Sequence, residues 1–179
     1  MKDDFDLDRL RKKAGKKRIN SKAKGNRFER KIADILNERF KTKDFCRSPG
    51  SGAFATTHTL PDYMKIHGDL ITPKNFRFSI EIKKGYNKEG VSNLFKSNSI
   101  ISDMIAQAKR DSEKSKKNIL LILGQDRKDS IVITNQNICH IENMCSYFIE
   151  MKLDNVKYYC LKLVDLLDHL LDYEFFTSI

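Results

Sequence analysis

Apolar side chains recur at helical spacing in two stretches of the chain and alternate with polar ones in a third. Phe28, Ile32, Ile35, Leu36 and Phe40 mark a helix over about 26–40. Ile101, Met104, Ile105 and Ala108 mark a second over about 98–114. Residues 77–84 alternate: Phe76, Phe78, Ile80 and Ile82 take one side, and Arg77, Ser79, Glu81 and Lys83 the other. A short strand is expected at Phe45-Cys46-Arg47 and another at about 67–72, the latter joined to 77–84 through Pro73-Lys74-Asn75. Asn118 to Leu123 is an almost unbroken apolar run, the pattern of a strand covered on both faces. Ile131-Val132-Ile133 follows as a further strand after a turn at Gly124–Ser130. Beyond residue 138 the pattern predicts a short helix near 141–149, a strand near 157–162 and a helix near 163–172. The order helix, strand, strand, strand, helix, strand predicts an α/β domain, a sheet with helices on its faces.

Polar, glycine-bearing stretches separate these elements. Ser21–Asn26 is expected to be a break before the first helix, Ser48-Pro49-Gly50-Ser51-Gly52 a loop, residues 53–66 an excursion without period, and 85–97 a loop. Residues 1–22 are expected to be a basic flexible arm and 23–179 a single domain, with its core at about 24–135 and a C-terminal α/β extension.

The 179 residues suffice to bury one core. No apolar run approaches the roughly 18 residues of a membrane span, and no apolar stretch follows the charged N-terminus as in a secretory signal. Cys46, Cys139, Cys145 and Cys160 are scattered, as free thiols in a reducing cytoplasm would be. The expected setting is the cytoplasm of a prokaryotic cell or of a phage-infected host. Net charge is +10, and the excess is uneven. Residues 1–24 carry ten Lys/Arg against four Asp, and residues 150–179 carry three Lys against six acids. A basic leading arm suits a polyanion such as nucleic acid, and equally suits a solvated tail.

The chemistry concentrates in Gly68-Asp69 and in Ile80-Glu81-Ile82-Lys83. Glu81 and Lys83 stand about 7 Å apart on one side of their strand. Asp69 would approach Glu81 if its strand pairs with that one. Two carboxylates can hold a hard cation, with a lysine within reach of a water or phosphate beside it. Taken alone, Glu-x-Lys also occurs on ordinary amphipathic strands. The first helix adds weight to the chemical reading. At about 100° per residue from Phe28, Glu29 falls between Leu36 and Phe40, whereas Asp34 and Glu38 fall opposite. One carboxylate therefore faces the core, where it is costly unless paired or bound to a cation. A glutamate favoured by the helix dipole at the core's rim would look the same. The cationic start of that helix could also hold a phosphate.

These residues together resemble the PD-(D/E)XK nuclease superfamily, and within it the archaeal and phage-type Holliday junction resolvases. The matching text is Lys24-Gly25-Asn26-Arg27-Phe28-Glu29-Arg30, then Arg47-Ser48-Pro49-Gly50-Ser51-Gly52, then Gly68-Asp69, then Ile80-Glu81-Ile82-Lys83, with Gln107 on the second helix. It spans about residues 24–124. The resemblance implies a restriction-endonuclease-like αβββαβ core, with a central mixed sheet flanked by helices. It implies that Asp69, Glu81 and the carbonyl of Ile82 bind Mg²⁺, with Mn²⁺ as a substitute. Lys83 would orient the attacking water, Glu29 would hold the metal through water or serve a second one, and Gln107 would support the site. Lys24, Arg27, Arg30, Arg47, Ser51 and Lys84 would engage DNA, with Ser51 also close to the chemistry. The products would carry 5′-phosphate and 3′-hydroxyl ends. The implied protein is a homodimer acting on branched or four-way DNA, built on helix 98–114 or the C-terminal segment.

Two positions depart from the pattern. Gly68 stands where a proline is expected before the metal-binding Asp, and residues 53–66 lengthen the loop before it. Other readings stay open: a recombination exonuclease or restriction-type nuclease of the same fold, or a DNA-binding module that has lost cleavage. The presence of Asp69, Glu81 and Lys83 argues against the last. Cys139-His140 and Cys145 lack the paired spacing of a zinc site. His67 lies beside the site, as a strand-end surface histidine would, and His58 has no assignable role. The Leu161–Leu171 run reads as core or as a dimer seam. Nothing resembles a nucleotide-phosphate loop, so ATP use is not expected.

Overall fold

Asn20 sets where the first helix begins. Its side-chain oxygen accepts the amide of Ala23 at 3.0 Å, and helix α1 runs over Ser21–Phe40. The expected break at Ser21–Asn26 is therefore helical, because one asparagine satisfies the exposed first turn and Gly25 is tolerated inside it. Lys41 ends the helix in the left-handed region, φ 51°. The computed structural model describes residues 20–48, 68–85 and 99–177. Nearly all of the basic arm, Ser51, the excursion at 53–66 and residues 86–98 lie outside the described residues.

After α1 come β1 (Cys46–Arg47), β2 (Leu70–Ile71), β3 (Phe78–Lys84), α2 (Ile100–Ser115) and β4 (Asn118–Gly124), the αβββαβ order expected. The chain continues through β5 (Ile131–Thr134), a 3₁₀ helix (Cys139–Met144), β6 (Phe148–Leu153), β7 (Val156–Lys162), α3 (Leu163–His169) and α4 (Asp172–Phe175). The main sheet has the order β3-β4-β5-β7-β6. β3 and β4 are parallel, with Glu81 beside Leu121, and the other pairings are antiparallel. β1 and β2 form a separate antiparallel pair.

Helices cover both faces of this sheet. Phe28, Ile32, Ala33 and Leu36 of α1 pack in one core with Phe78, Ile80, Ile82, Leu120 and Ile122. Ile101, Met104, Ile105 and Ala108 of α2 pack in the other with Ile119, Leu121, Leu123 and Ile133. This two-sided cover explains the unbroken apolar run in β4. Among the described residues, no helix is long and apolar enough to cross a membrane.

The C-terminal half differs from expectation in two places. The helix expected near 141–149 is a shorter 3₁₀ helix followed by strand β6. Asp154 and Asn155 both take positive φ, 47° and 63°, and make the two-residue turn of a β6–β7 hairpin. The helix expected over 163–172 divides into α3 and α4. Leu163, Leu166, Leu167 and Leu170 are core, while Val164 and Leu171 are exposed. Phe175 then packs among Phe40, Phe76 and Phe78, and its carbonyl accepts the amide of Arg77 at 2.8 Å. The chain end thereby seals the start of β3.

Candidate active site

Asp69 lies against the outer edge of β3. Its amide donates to the carbonyl of Ile80 at 2.8 Å, and its side-chain Oδ2 accepts the amide of Ile82 at 2.7 Å. In an extended strand a residue's N–H and C=O leave on the same edge, so the Ile82 carbonyl opens toward Asp69. The approach depends on Gly68. That residue has φ 89°, and a Cβ there would stand 2.5 Å from the Ile80 carbonyl oxygen. Proline, whose φ is locked near −65°, cannot take that conformation. The departure from the expected proline is thus a geometric requirement of this chain. On the far side, the Ser48 amide donates to the Asp69 carbonyl at 3.0 Å and the Ser48 hydroxyl to that of Gly68 at 3.2 Å. Gly68-Asp69 is clamped between Ser48 and β3.

Glu81, 4% exposed, points from β3 to the side covered by α2. Its Oε1 accepts from Lys83 Nζ at 2.5 Å and from Gln107 Nε2 at 2.8 Å, and Lys83 Nζ donates to Gln107 Oε1 at 3.0 Å. The three side chains close a ring. The i, i+2 spacing puts the acid and the base on one side of the strand, and α2 brings the amide that joins them.

Glu29 occupies the core-facing position expected of it and is 8% exposed. Its Oε2 lies 2.5 Å from Nε of Arg47 on β1, and the same guanidinium donates to Asn26 Oδ1 at 3.0 Å. The buried carboxylate is thus paired. Its charge reaches both Asp69 and Glu81. Among the described residues, no three His, Cys, Asp or Glu side chains gather closely enough to hold a metal ion by themselves.

Of the expected DNA-contacting residues, Arg27 and Arg30 are exposed on α1. Arg47 carries the pairing with Glu29, and Ser51 lies outside the described residues. Lys24 and Lys84 both reach Asp126, at 2.5 and 3.3 Å, in the turn after β4. Asp126 is not signalled by the sequence, and Asn26 and Ser48 stand in the matching text there without a role of their own. Each makes its contact across a long sequence separation, and no local spacing signals it. The Cys–His candidates disperse: Cys139 Sγ contacts Glu150, His140 contacts Glu174, and Cys145 contacts the carbonyl of Ile141. His58 and His67 lie outside the described residues.

Burial, then the neighbouring charge of Glu81, pushes the Asp69 carboxyl up to about 7, against the opposing pull of the Ile82 amide. Burial also raises Glu81, opposed by Lys83. A cation bound between these two partly buried carboxylates would relieve the pressure that the Glu81 charge puts on Asp69. With the Ile82 carbonyl they offer only oxygen, which suits a hard divalent ion such as Mg²⁺.

The profile of the phage putative PDDEXK endonuclease family matches residues 20–172. Protein D14 of Escherichia phage T5 is 29% identical over 133 residues, which cover 72% of this chain and 79% of that protein. No solved structure matches.

Proposed function

The chain belongs to this phage PDDEXK endonuclease family, and from that premise we propose that it is a Mg²⁺-dependent DNA endonuclease that hydrolyses phosphodiester bonds in branched DNA. The observation that carries the reading is Asp69 bonded to the Ile82 amide at the edge of β3 while the next-door Glu81, whose charge reaches Asp69, is bonded to Lys83 on the adjoining face. Asp69, Glu81 and the Ile82 carbonyl would hold the ion, with Mn²⁺ as a substitute. Bound there, a divalent cation supplies Lewis acidity toward a phosphate oxygen and a more acidic water.

The remaining steps belong to the chain's own side chains. The Lys83 ammonium offsets charge on the attacked phosphate and orients the water that attacks it. Gln107 holds Lys83 and Glu81 in register, so neither must reorganise when substrate arrives. Glu29 acts from α1 through water, with Arg47 fixing its position. Arg27, Arg30 and the basic arm hold the DNA backbone by charge.

The choice of four-way junctions rests on the resemblance to resolvases, and a junction needs two opposed cuts, which a two-fold dimer supplies. The exposed Val164, Leu171 and Tyr173 in the C-terminal extension offer apolar surface for that pairing. The experiment is a competition among a four-way junction, linear duplex and flapped DNA, with and without Mg²⁺. Paired nicking of the junction supports the reading. Equal cutting of linear ends moves it to an exonuclease or restriction-type activity, and cutting undiminished by chelator removes the metal.

A further inference from the structure

Lys24 and Lys84 come from different elements and converge on one carboxylate. Lys24 Nζ, from the first turns of α1, lies 2.5 Å from Asp126 Oδ2, and Lys84 Nζ, from the end of β3, lies 3.3 Å from Oδ1. Lys84 is built into its place. Its Nζ also donates to the Gln125 carbonyl at 2.8 Å and stands 4.9 Å from the centre of the Phe28 ring. That ring rests on Gly124 so closely that no Cβ fits there, which fixes the platform against β4. The Lys84 side chain is 15% exposed, whereas that of Asp126 is 43% exposed, on a turn whose next three residues are all exposed. Lys84 is thus the held member of the cluster, and Lys24, 34% exposed, and Asp126 lie nearer the solvent.

A carboxylate and a phosphodiester present the same charge and paired oxygens to two ammonium groups. We propose that Lys24 and Lys84, on the Phe28 platform, form a subsite for a non-scissile phosphate of the DNA strand, and that Asp126 fills it as an internal competitor until DNA displaces it. Lys84 directly follows Lys83 and leaves β3 on the opposite side, so a strand held at the catalytic residues passes this cluster at the same end of the strand. Exposed ion pairs are weak contacts, so a polyanion held at many points displaces Asp126 readily. The proposal rests on the DNA-nuclease reading and adds a regulator of binding to it.

The test is binding of fluorescent duplex DNA by the full chain in chelator, where cleavage plays no part, over a range of salt. Asp126→Asn is expected to tighten binding about three- to tenfold and to steepen the salt dependence by about one counterion. Asp129→Asn makes the same charge change in the same turn, where Asp129 pairs with Lys162 at 3.0 Å, and is expected to leave affinity within about twofold. Lys24→Met with Lys84→Met is expected to weaken binding and to cancel the gain from Asp126→Asn. Equal gains from Asp126→Asn and Asp129→Asn overturn the subsite, because general charge then explains both. Unchanged affinity in Asp126→Asn overturns it as well, and leaves the cluster as a strut between α1 and the turn. Wild-type protein that fails to bind DNA overturns the nuclease reading itself, a result distinct from either.

Discussion

The amide of Ile82 donates to the carboxylate of Asp69 at 2.7 Å, across thirteen positions of sequence. That bond places an acid at the edge of β3, beside the residue whose neighbours Glu81 and Lys83 face α2. The sheet edge, the buried glutamate and the lysine meet at one end of the fold because Gly68 lets the chain approach so closely.

Gly68→Ala tests that approach. A methyl group would meet the Ile80 carbonyl at 2.5 Å in a backbone conformation with φ 89°. Such a substitution is expected to destabilise the protein by about 2–3 kcal/mol or to push Asp69 away from Ile82. Urea denaturation reads the first outcome, and a cleavage rate that falls further than stability does reads the second. A variant with wild-type stability and rate would show that Asp69 does not depend on this contact.

The pH dependence of stability follows from Asp69. Its carboxyl is raised from 3.8 to about 7 in the folded, metal-free protein, so the folded state binds the proton more tightly than the unfolded chain. The stability this group contributes is full below about 4, falls as pH rises, and is gone above about 7. Asp69→Asn has no such proton. In chelator, its stability relative to wild type is expected to grow by a few kcal/mol between pH 4 and pH 7. Excess Mg²⁺ is expected to shrink that difference by stabilising only wild type. A difference that stays flat with pH would remove the buried-carboxylate account.

Gln107 touches both Glu81 and Lys83 without carrying chemistry of its own. Gln107→Leu keeps a similar volume and leaves the Lys83–Glu81 pair without its third member. The rate is expected to fall about 10- to 100-fold with DNA affinity nearly unchanged, and the pH profile of cleavage to shift as Lys83 loses its orientation. Gln107→Glu keeps the oxygen that accepts from Lys83 but loses the donor to Glu81, and is expected to recover little. A loss confined to affinity would assign Gln107 to substrate binding.

Much of this arrangement is legible in one sequence because it depends on local periodicity. The apolar arc of α1 isolates Glu29 from Asp34 and Glu38, and the structure buries that one acid alone among the three. Alternation in β3 separates Glu81 and Lys83 from Ile80 and Ile82. The parts that resist reading depend on a single residue or on a distant partner. Asn20 extends α1 by one capping bond. Asp154-Asn155 signals a hairpin only once left-handed backbone is considered at both positions. Arg47, read as a DNA contact, meets Glu29 only because β1 crosses the start of α1. Asp126 carries no pattern at all, and its partners lie 102 and 42 positions earlier in the chain.

Cleavage by acid-to-amide variants bears most directly on the paired carboxylates. Wild type, Asp69→Asn and Glu81→Gln are compared on a four-way junction with Mg²⁺, and DNA binding is measured in parallel. Both variants are expected to lose about 10³-fold or more in rate while binding DNA within about threefold of wild type. Cutting at the wild-type rate by either variant would contradict the account.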